Sequence, residues 1–159
     1  AAAATFAVLL AVAIAAYLSP SMWQVRYGWP FSYSRFLLPI VVLAVPVAAA
    51  NHPRALVLES PFANLYDAAR HQFYLLPYRS LLRYAFRNDK AIRRVTCPVH
   101  IFHGKRDPIV PYESALRLYA AVPDTVHREM LTFERGFHSD LWGFKRFQRV
   151  MGRILGTGQ

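Results

Sequence analysis

The fold of this chain is decided by one stretch, CPVHIFHGKRDPIVP at residues 97–111. Its first part is a short apolar run rich in β-forming residues, which predicts a buried strand that Pro98 begins and Gly104 ends. Pro111 suits the first turn of a following helix, because its missing N–H would have no partner there. Asp107 is therefore expected just past a strand end, which is where α/β proteins place their chemistry.

The residues from Arg54 onward alternate between strand-like and helix-like segments. Residues 55–58 (ALVL) and residues 127–133 each predict a further strand. Helical spacing predicts helices over residues 64–74, 78–87 and 111–122, and a last helix that Ser139 and Asp140 cap and Gly156 ends. Strands that alternate with helices predict a parallel α/β sheet of about three strands flanked by helices.

The first fifty residues are much more hydrophobic than the rest. Residues 1–18 contain only Ala, Val, Leu, Ile, Phe, Tyr and one Thr. As a helix they would span about 27 Å, close to the ~30 Å hydrocarbon core of a bilayer. We expect a membrane anchor here; a cleaved signal peptide and a buried soluble helix are the alternatives. Arg26 and Arg35 follow this span, so the positive-inside rule places the remainder in the cytoplasm.

A second apolar run covers residues 36–50 and contains Pro39 and Pro46. Two interior prolines disfavour a regular spanning helix. A kinked helix packed on a sheet and a re-entrant segment are both compatible with this run. The sequence thus predicts hydrophobic N-terminal helices in residues 1–50, which include the expected membrane anchor, and an α/β-hydrolase-like region in residues 51–159.

The composition favours a basic surface and a reduced core cysteine. The net charge of +10 favours anionic partners such as lipid headgroups, phosphates or nucleic acid. A solvated basic exterior is the simpler explanation, and we expect a membrane rather than nucleic acid as partner. The single cysteine, Cys97, excludes an internal disulfide and stands at the head of an apolar strand, so we interpret it as a core residue.

Three segments together resemble a known superfamily. They are HPRALVLESPF at residues 52–62, the stretch at residues 97–111, and GFH at residues 136–138. In this order they resemble the C-terminal part of the α/β-hydrolase superfamily. They are most similar to membrane-anchored serine hydrolases with short caps, a group that includes lipid esterases and protein depalmitoylases. The resemblance implies that Asp107 is the acid and His138 the base of a catalytic triad. It also implies a small-molecule acyl ester or thioester substrate, with no cofactor and no metal.

The chemistry supports such a pair of residues. A histidine that takes a proton from a serine needs a carboxylate to fix its tautomer and to stabilise its imidazolium. Loops that follow neighbouring strands can bring Asp107 and His138 together. The alternative is that Asp107 caps the following turn and His138 is an ordinary loop residue. His100 and His103 are three apart on one strand and face opposite sides, which argues against a shared metal site.

The nucleophile is where the chain departs from the family pattern. The family carries it in a Gly-x-Ser-x-Gly elbow at a strained strand-to-helix turn, and no such motif occurs here. In YGWPFSYSRF at residues 27–36, Pro30 stands where the serine would be, and Ser34 is the remaining candidate nucleophile. Ser60, at another strand end, is a weaker candidate. The family's oxyanion-loop glycines are also missing, and with them the largest catalytic contribution.

Three functional hypotheses follow. The first is a membrane-anchored serine hydrolase that cleaves esters or thioesters with a lipid-like acyl group. The second is a catalytically inactive, truncated, hydrolase-like membrane-associated protein. The third, a basic protein that binds anionic membranes or nucleic acid, rests on charge alone. In each case the first strand has an unpaired edge, which we expect the apolar N-terminal residues or a partner chain to cover.

Overall fold

The structure is a computed structural model that describes residues 34–72, 85–138 and 140–156. Its elements in chain order are α1 (Ser34–Asn51), β1 (Leu56–Glu59), α2 (Leu65–Gln72), α3 (Asn88–Ala91), a 3₁₀ turn (Ile92–Arg94), β2 (Val99–Gly104), α4 (Tyr112–Ala120), β3 (Arg128–Phe133), a second 3₁₀ turn (Leu141–Gly143) and α5 (Lys145–Leu155). The three predicted strands are confirmed, and the predicted helix over residues 78–87 lies mostly outside the described residues.

The three strands form one parallel sheet in the order β1-β2-β3. Leu56 lies beside Val99, which lies beside Arg128, so the strands begin in register. Parallel neighbours require crossover connections, and the helical segments between the strands provide them. The carboxyl ends of all three strands therefore meet at one edge of the sheet. The predicted parallel α/β sheet with flanking helices is confirmed.

A hydrophobic cluster covers each face of the sheet. On one face, Leu58 and Ile101 pack with Val45 and Ala48 of α1 and with Leu118 of α4. Each fully buried aliphatic side chain of this kind contributes roughly 1.5–3 kcal/mol to folding. Because successive side chains of a strand point to opposite faces of the sheet, the residues next to Leu58 and Ile101 in the sequence lie on the other face.

The second face is aromatic. Phe102 and Phe133 pack there against Phe147 of α5, with ring centroids 4.7 and 6.3 Å apart. Leu141 of the second 3₁₀ turn and Val57 of β1 complete this cluster. The chain after β3 therefore folds back over the sheet, which brings the loop that carries His138 to the carboxyl edge.

Helix α1 explains the second apolar run. It continues through Pro39 and Pro46 to Asn51, and its Val45 and Ala48 are buried against the sheet cluster. This agrees with the helix packed on a sheet rather than with the re-entrant segment. In the described ranges no helix is long and apolar enough to cross a bilayer. The predicted anchor at residues 1–18 lies outside those ranges, and the division of the chain at residue 50 stays a prediction.

The last helix begins later than the sequence predicts. Asp140 was expected to cap a helix that starts at Leu141, but a 3₁₀ turn comes first and Phe144 adopts an extended conformation. The carboxylate of Asp140 instead accepts a hydrogen bond from the Phe137 N–H (2.7 Å). Helix α5 starts only at Lys145, and it ends as predicted at Gly156, whose φ is +72°.

Helix α2 is tied to the body of the molecule by one acidic side chain. The Asp67 carboxylate accepts a hydrogen bond from Ser114 Oγ (3.0 Å) and pairs with Arg117 (2.7 Å), both on α4. Ser114 Oγ also accepts the backbone N–H of Ala63 (2.9 Å). These bonds fix the start of the segment between β1 and β2.

Candidate active site

The loops after β2 and β3 cross in contact at the carboxyl edge of the sheet. The N–H of Lys105 donates to the carbonyl of Phe133 (2.9 Å), and the N–H of Arg106 donates to the carbonyl of Gly136 (3.0 Å). A Cβ on Gly104 would collide with the Gly136 carbonyl. The two glycines therefore permit an approach between backbones that larger residues would prevent.

Asp107 is held inside the first of these loops. Its Oδ1 accepts the backbone N–H groups of Ile109 (2.8 Å) and Val110 (2.9 Å). Its own N–H donates to the carbonyl of Gly104 (3.1 Å). Such bonds are the usual way in which an aspartate stabilises a turn that follows it.

The other carboxylate oxygen of Asp107 meets His138. His138 Nδ1 lies 2.8 Å from Asp107 Oδ2, and the Asp107 side chain is 1% exposed while that of His138 is 30% exposed. The two interpretations of Asp107 are therefore compatible, because Oδ1 caps the turn and Oδ2 faces the histidine. The structure brings together these two residues, which lie 31 positions apart in the sequence.

The charge of Asp107 follows from its partners. Burial by itself raises the pKa of the Asp107 carboxyl, but the hydrogen bond and charge of His138 and the two backbone N–H bonds outweigh burial and bring the pKa below its usual value. Asp107 is therefore ionised at neutral pH and can only accept hydrogen bonds. The proton between the two side chains lies on His138 Nδ1.

His103 lies behind the acid and was not among the predicted site residues. Its Nε2 donates to the carbonyl of Val110 (3.1 Å) and lies 3.6 Å from Asp107 Oδ2. The side chain is fully buried, and burial lowers the pKa of His103, so its ring is neutral. His103 thus closes the loop that holds Asp107. Nothing in the sequence distinguished His103 from the other histidines of the chain.

The end of β1 supplies two more polar residues at this edge, of which Ser60 is buried and Glu59 is half-buried. Ser60 has a φ of +47°, which a residue with a side chain rarely adopts, and it is 2% exposed. Its Oγ and Glu59 Oε1 are buried, and neither has a hydrogen-bond partner within the described ranges. The sequence pointed to Ser60 as a weaker nucleophile candidate and did not single out Glu59.

The predicted nucleophile is Ser34. Ser34 is the first residue of α1, and its side chain is outside the part of the chain that the structure describes. Pro30 also lies outside it. Cys97 is 5% exposed and belongs to the core cluster. In the described ranges no group of three or more His, Cys, Asp or Glu residues could hold a metal ion.

Comparison with known proteins identifies sequence relatives and structural neighbours of this chain. The chain is 32% identical over 129 residues to lysophosphatidylserine lipase ABHD12 of Macaca fascicularis, covering 67% of this chain and 32% of the relative. It superimposes on the Pyrococcus furiosus esterase Pf2001 with a TM-score of 0.59 at 15% identity, over 73% of this chain and 49% of the other. A 2,6-dihydroxy-pseudo-oxynicotine hydrolase gives 0.56 at 16% identity, over 74% and 37%.

The chain belongs to the α/β-hydrolase superfamily. No protein-family model matches it. The chain spans 32% of the length of this lysophosphatidylserine lipase. Asp107 precedes His138, and each follows its own strand, which is the order of acid and histidine in α/β-hydrolases.

Proposed function

We propose that this α/β-hydrolase chain carries the acid and the base of a serine hydrolase that cleaves carboxylic esters or thioesters. The observation that supports the proposal is the 2.8 Å contact between His138 Nδ1 and Asp107 Oδ2, with Asp107 buried and bonded on its other oxygen. A buried, ionised carboxylate on Nδ1 is the arrangement that a general-base histidine needs.

The proposed mechanism uses the other ring nitrogen. With Nδ1 protonated and bound to Asp107, Nε2 of the neutral ring is free to accept a proton from a serine hydroxyl as that oxygen attacks the acyl carbon. Asp107 then stabilises the imidazolium. The same proton goes to the leaving alcohol or thiol when the carbonyl re-forms, and water releases the acyl group by the reverse sequence of proton transfers.

We propose a lipid-like acyl substrate. The relatives named lysophosphatidylserine lipase make a monoacyl lipid ester the first compound class to test. Next to His138 the side chain of Phe137 is 47% exposed, and Trp142 is 55% exposed. Apolar side chains at this edge suit an acyl chain. We propose that the segment between α2 and α3 forms a short apolar cap over this chain, with Phe86, which is 40% exposed, and with the apolar residues 73–76, which lie outside the described ranges.

Ser34 is the nucleophile of this proposal. A fluorophosphonate probe applied to the full chain tests it, because such probes label activated serines. We expect labelling that Ser34→Ala and His138→Gln abolish and that Ser60→Ala preserves. Loss of labelling in Ser60→Ala alone would transfer the role to Ser60. A folded wild-type protein that takes no label contradicts the proposal.

The second candidate is a catalytically inactive hydrolase-like protein associated with membranes. The observation that favours it is the absence of a Gly-x-Ser-x-Gly motif anywhere in the sequence. In both candidates we propose that the apolar residues 1–18 anchor the chain to the membrane and that the hydrolase-like region lies in the cytoplasm. Sedimentation with lipid vesicles, combined with the absence of probe labelling, is the result expected for the inactive protein.

A further inference from the structure

Helix α5 differs from α2 and α4 in its charge pattern. It has four cationic residues and no acidic residue, whereas α2 and α4 each combine an arginine with an acidic side chain. At roughly 100° per residue, the four cations fall within an arc of about 100° on one side of the helix. All four are exposed, and we call them the cationic face of α5: Lys145, Arg146, Arg149 and Arg153.

The packing of α5 explains why this face is turned outward. Phe147 and Val150 are buried in the aromatic cluster, and Met151 and Ile154 pack against that cluster. By the same helical spacing these four residues lie on the other side of the helix from the cations. The fold therefore already buries the apolar side of α5, and the side that remains available to a partner is cationic.

Helix α5 runs antiparallel to β3 along the aromatic side of the sheet. At its start, Phe144 contacts Phe133 at the carboxyl end of β3, with ring centroids 5.1 Å apart. Near its end, Arg153 lies 3.4 Å from Glu129, close to the amino end of β3. The cationic face therefore extends over about 12 Å, and it begins at the edge of the sheet that carries His138.

Little negative charge of the protein itself neutralises the cationic face. Within the described ranges it makes one ion pair, between Arg153 and Glu129. Glu129 also faces His100, at 3.2 Å, so this carboxylate is shared between two partners. The other three cations make no ion pair among the described residues. A surplus of positive charge on one side of the helix therefore faces the solvent.

Exposed aromatic side chains lie in the segment that enters α5. Phe137 is 47% exposed and Trp142 is 55% exposed. The Trp142 ring packs on Phe147, with centroids 4.9 Å apart, and Gln148 Nε2 donates to the Trp142 carbonyl (2.7 Å), so the indole is held at the start of the helix. Tryptophan favours the interface between a bilayer and water. A bilayer surface therefore suits this region better than a nucleic-acid duplex, which would use its positive charge alone.

We propose that the cationic face of α5 is a docking surface for a membrane that contains anionic phospholipids. Four or more Lys and Arg residues clustered on a helix are typical of such surfaces, and each strengthens binding about fivefold. The docking depends on lipid charge and on salt, unlike the apolar anchor proposed for residues 1–18. It uses neither Asp107 nor Ser34. Because α5 begins at the edge that carries His138, docking keeps that edge close to the lipid headgroups.

Acetylation of lysines by a water-soluble reagent that does not cross membranes tests the docking. The full chain is mixed with vesicles of phosphatidylcholine alone or with about one third phosphatidylserine, and mass spectrometry gives the rates at Lys145 and Lys90. Lys90 is the internal control, because it is exposed on α3, which packs on the other face of the sheet. We expect phosphatidylserine to slow acetylation of Lys145 relative to Lys90 by about fivefold or more. Salt at about 1 M should restore the rate, because it shortens the screening length to about 3 Å.

Two double variants of equal charge separate the cationic face from the general basicity of the chain. Arg146→Gln with Arg149→Gln removes two cations from the face. Arg93→Gln with Arg94→Gln removes two exposed cations from the first 3₁₀ turn. We expect the first variant to need about tenfold more phosphatidylserine vesicles to protect Lys145, and the second to need the same amount as the wild type. Circular dichroism of both variants confirms that they are folded.

The outcomes decide the proposal without reference to catalysis. Equal relative rates at Lys145 in the two kinds of vesicle overturn it, and so does an equal effect of the two double variants. A DNA duplex that protects Lys145 at a salt concentration where phosphatidylserine vesicles do not would assign the face to nucleic acid and overturn the membrane partner. Protection of Lys145 in a chain that takes no fluorophosphonate label supports the docking and rejects the proposed hydrolase activity.

Discussion

At the scale of single residues, Asp107 performs two tasks with two oxygens. Oδ1 accepts two backbone N–H groups, and Oδ2 faces His138 Nδ1 at 2.8 Å. The sequence predicted both tasks, but as alternatives, because spacing does not specify which oxygen meets which partner. It could not reveal His103, since only the fold shows that this ring lies fully buried behind the aspartate.

Replacing Asp107 by asparagine separates these tasks. The amide oxygen can still accept the two loop N–H groups, so we expect little loss of stability at neutral pH. The amide nitrogen would face His138 and favour the tautomer with the proton on Nε2, which cannot act as a base. We expect probe labelling to fall about 10³- to 10⁴-fold, the size seen for the corresponding change in a serine protease.

The matched control for this prediction is Asp124→Asn. Asp124 is 92% exposed and pairs with Arg128 at the surface (2.8 Å), so its neutralisation should leave labelling unchanged. Asp107→Asn that labels as fast as the wild type would exclude Asp107 from the mechanism.

At the scale of elements, the site depends on two loops that touch. Patterns of period two and 3.6 predicted all three strands, their parallel sheet and α4, because local hydrophobicity determines those elements. The predicted start of α5 was wrong, because Asp140, the residue expected to cap this helix, accepts a hydrogen bond from the Phe137 N–H instead. The sequence also could not predict the contact between the backbones of Gly104 and Gly136, since it joins the end of β2 to the loop after β3.

Gly104→Ala tests that contact. A methyl group at this position would meet backbone atoms of Gly136 and the Phe137 carbonyl, and backbone cannot rotate out of the way. We expect a loss of about 1–3 kcal/mol in the free energy of unfolding, measured with urea, and slower labelling because the loops move apart. Gly143→Ala is the control, because a Cβ there meets nothing within 4 Å. Equal stabilities of the two variants would contradict this account.

At the scale of the whole molecule, the described sheet is an incomplete layer. β1 and β3 are its outer strands, and in the described ranges no strand pairs with the free edge of β1. The prediction that N-terminal residues or a partner chain cover this edge therefore stays a prediction. Among the described residues, buried polar atoms without hydrogen-bond partners occur at the carboxyl ends of β1 and β2, on Glu59, Ser60 and His103.

The partly buried carboxyl of Glu59 should make the stability of the entire fold depend on pH. Its pKa is about 7 in the folded chain and about 4.3 when unfolded, so the folded state binds the proton more tightly. Its contribution is complete below the unfolded value and is lost as the pH rises toward and through 7. Glu59→Gln cannot ionise. We therefore expect the free energy of unfolding of the wild type, relative to this variant, to fall by about 1 kcal/mol or more between pH 5 and pH 8.

Urea unfolding at both pH values measures the difference, with Glu129→Gln as the control. Parallel pH dependences for wild type and Glu59→Gln would show that Glu59 titrates as an ordinary surface carboxyl and would contradict this prediction.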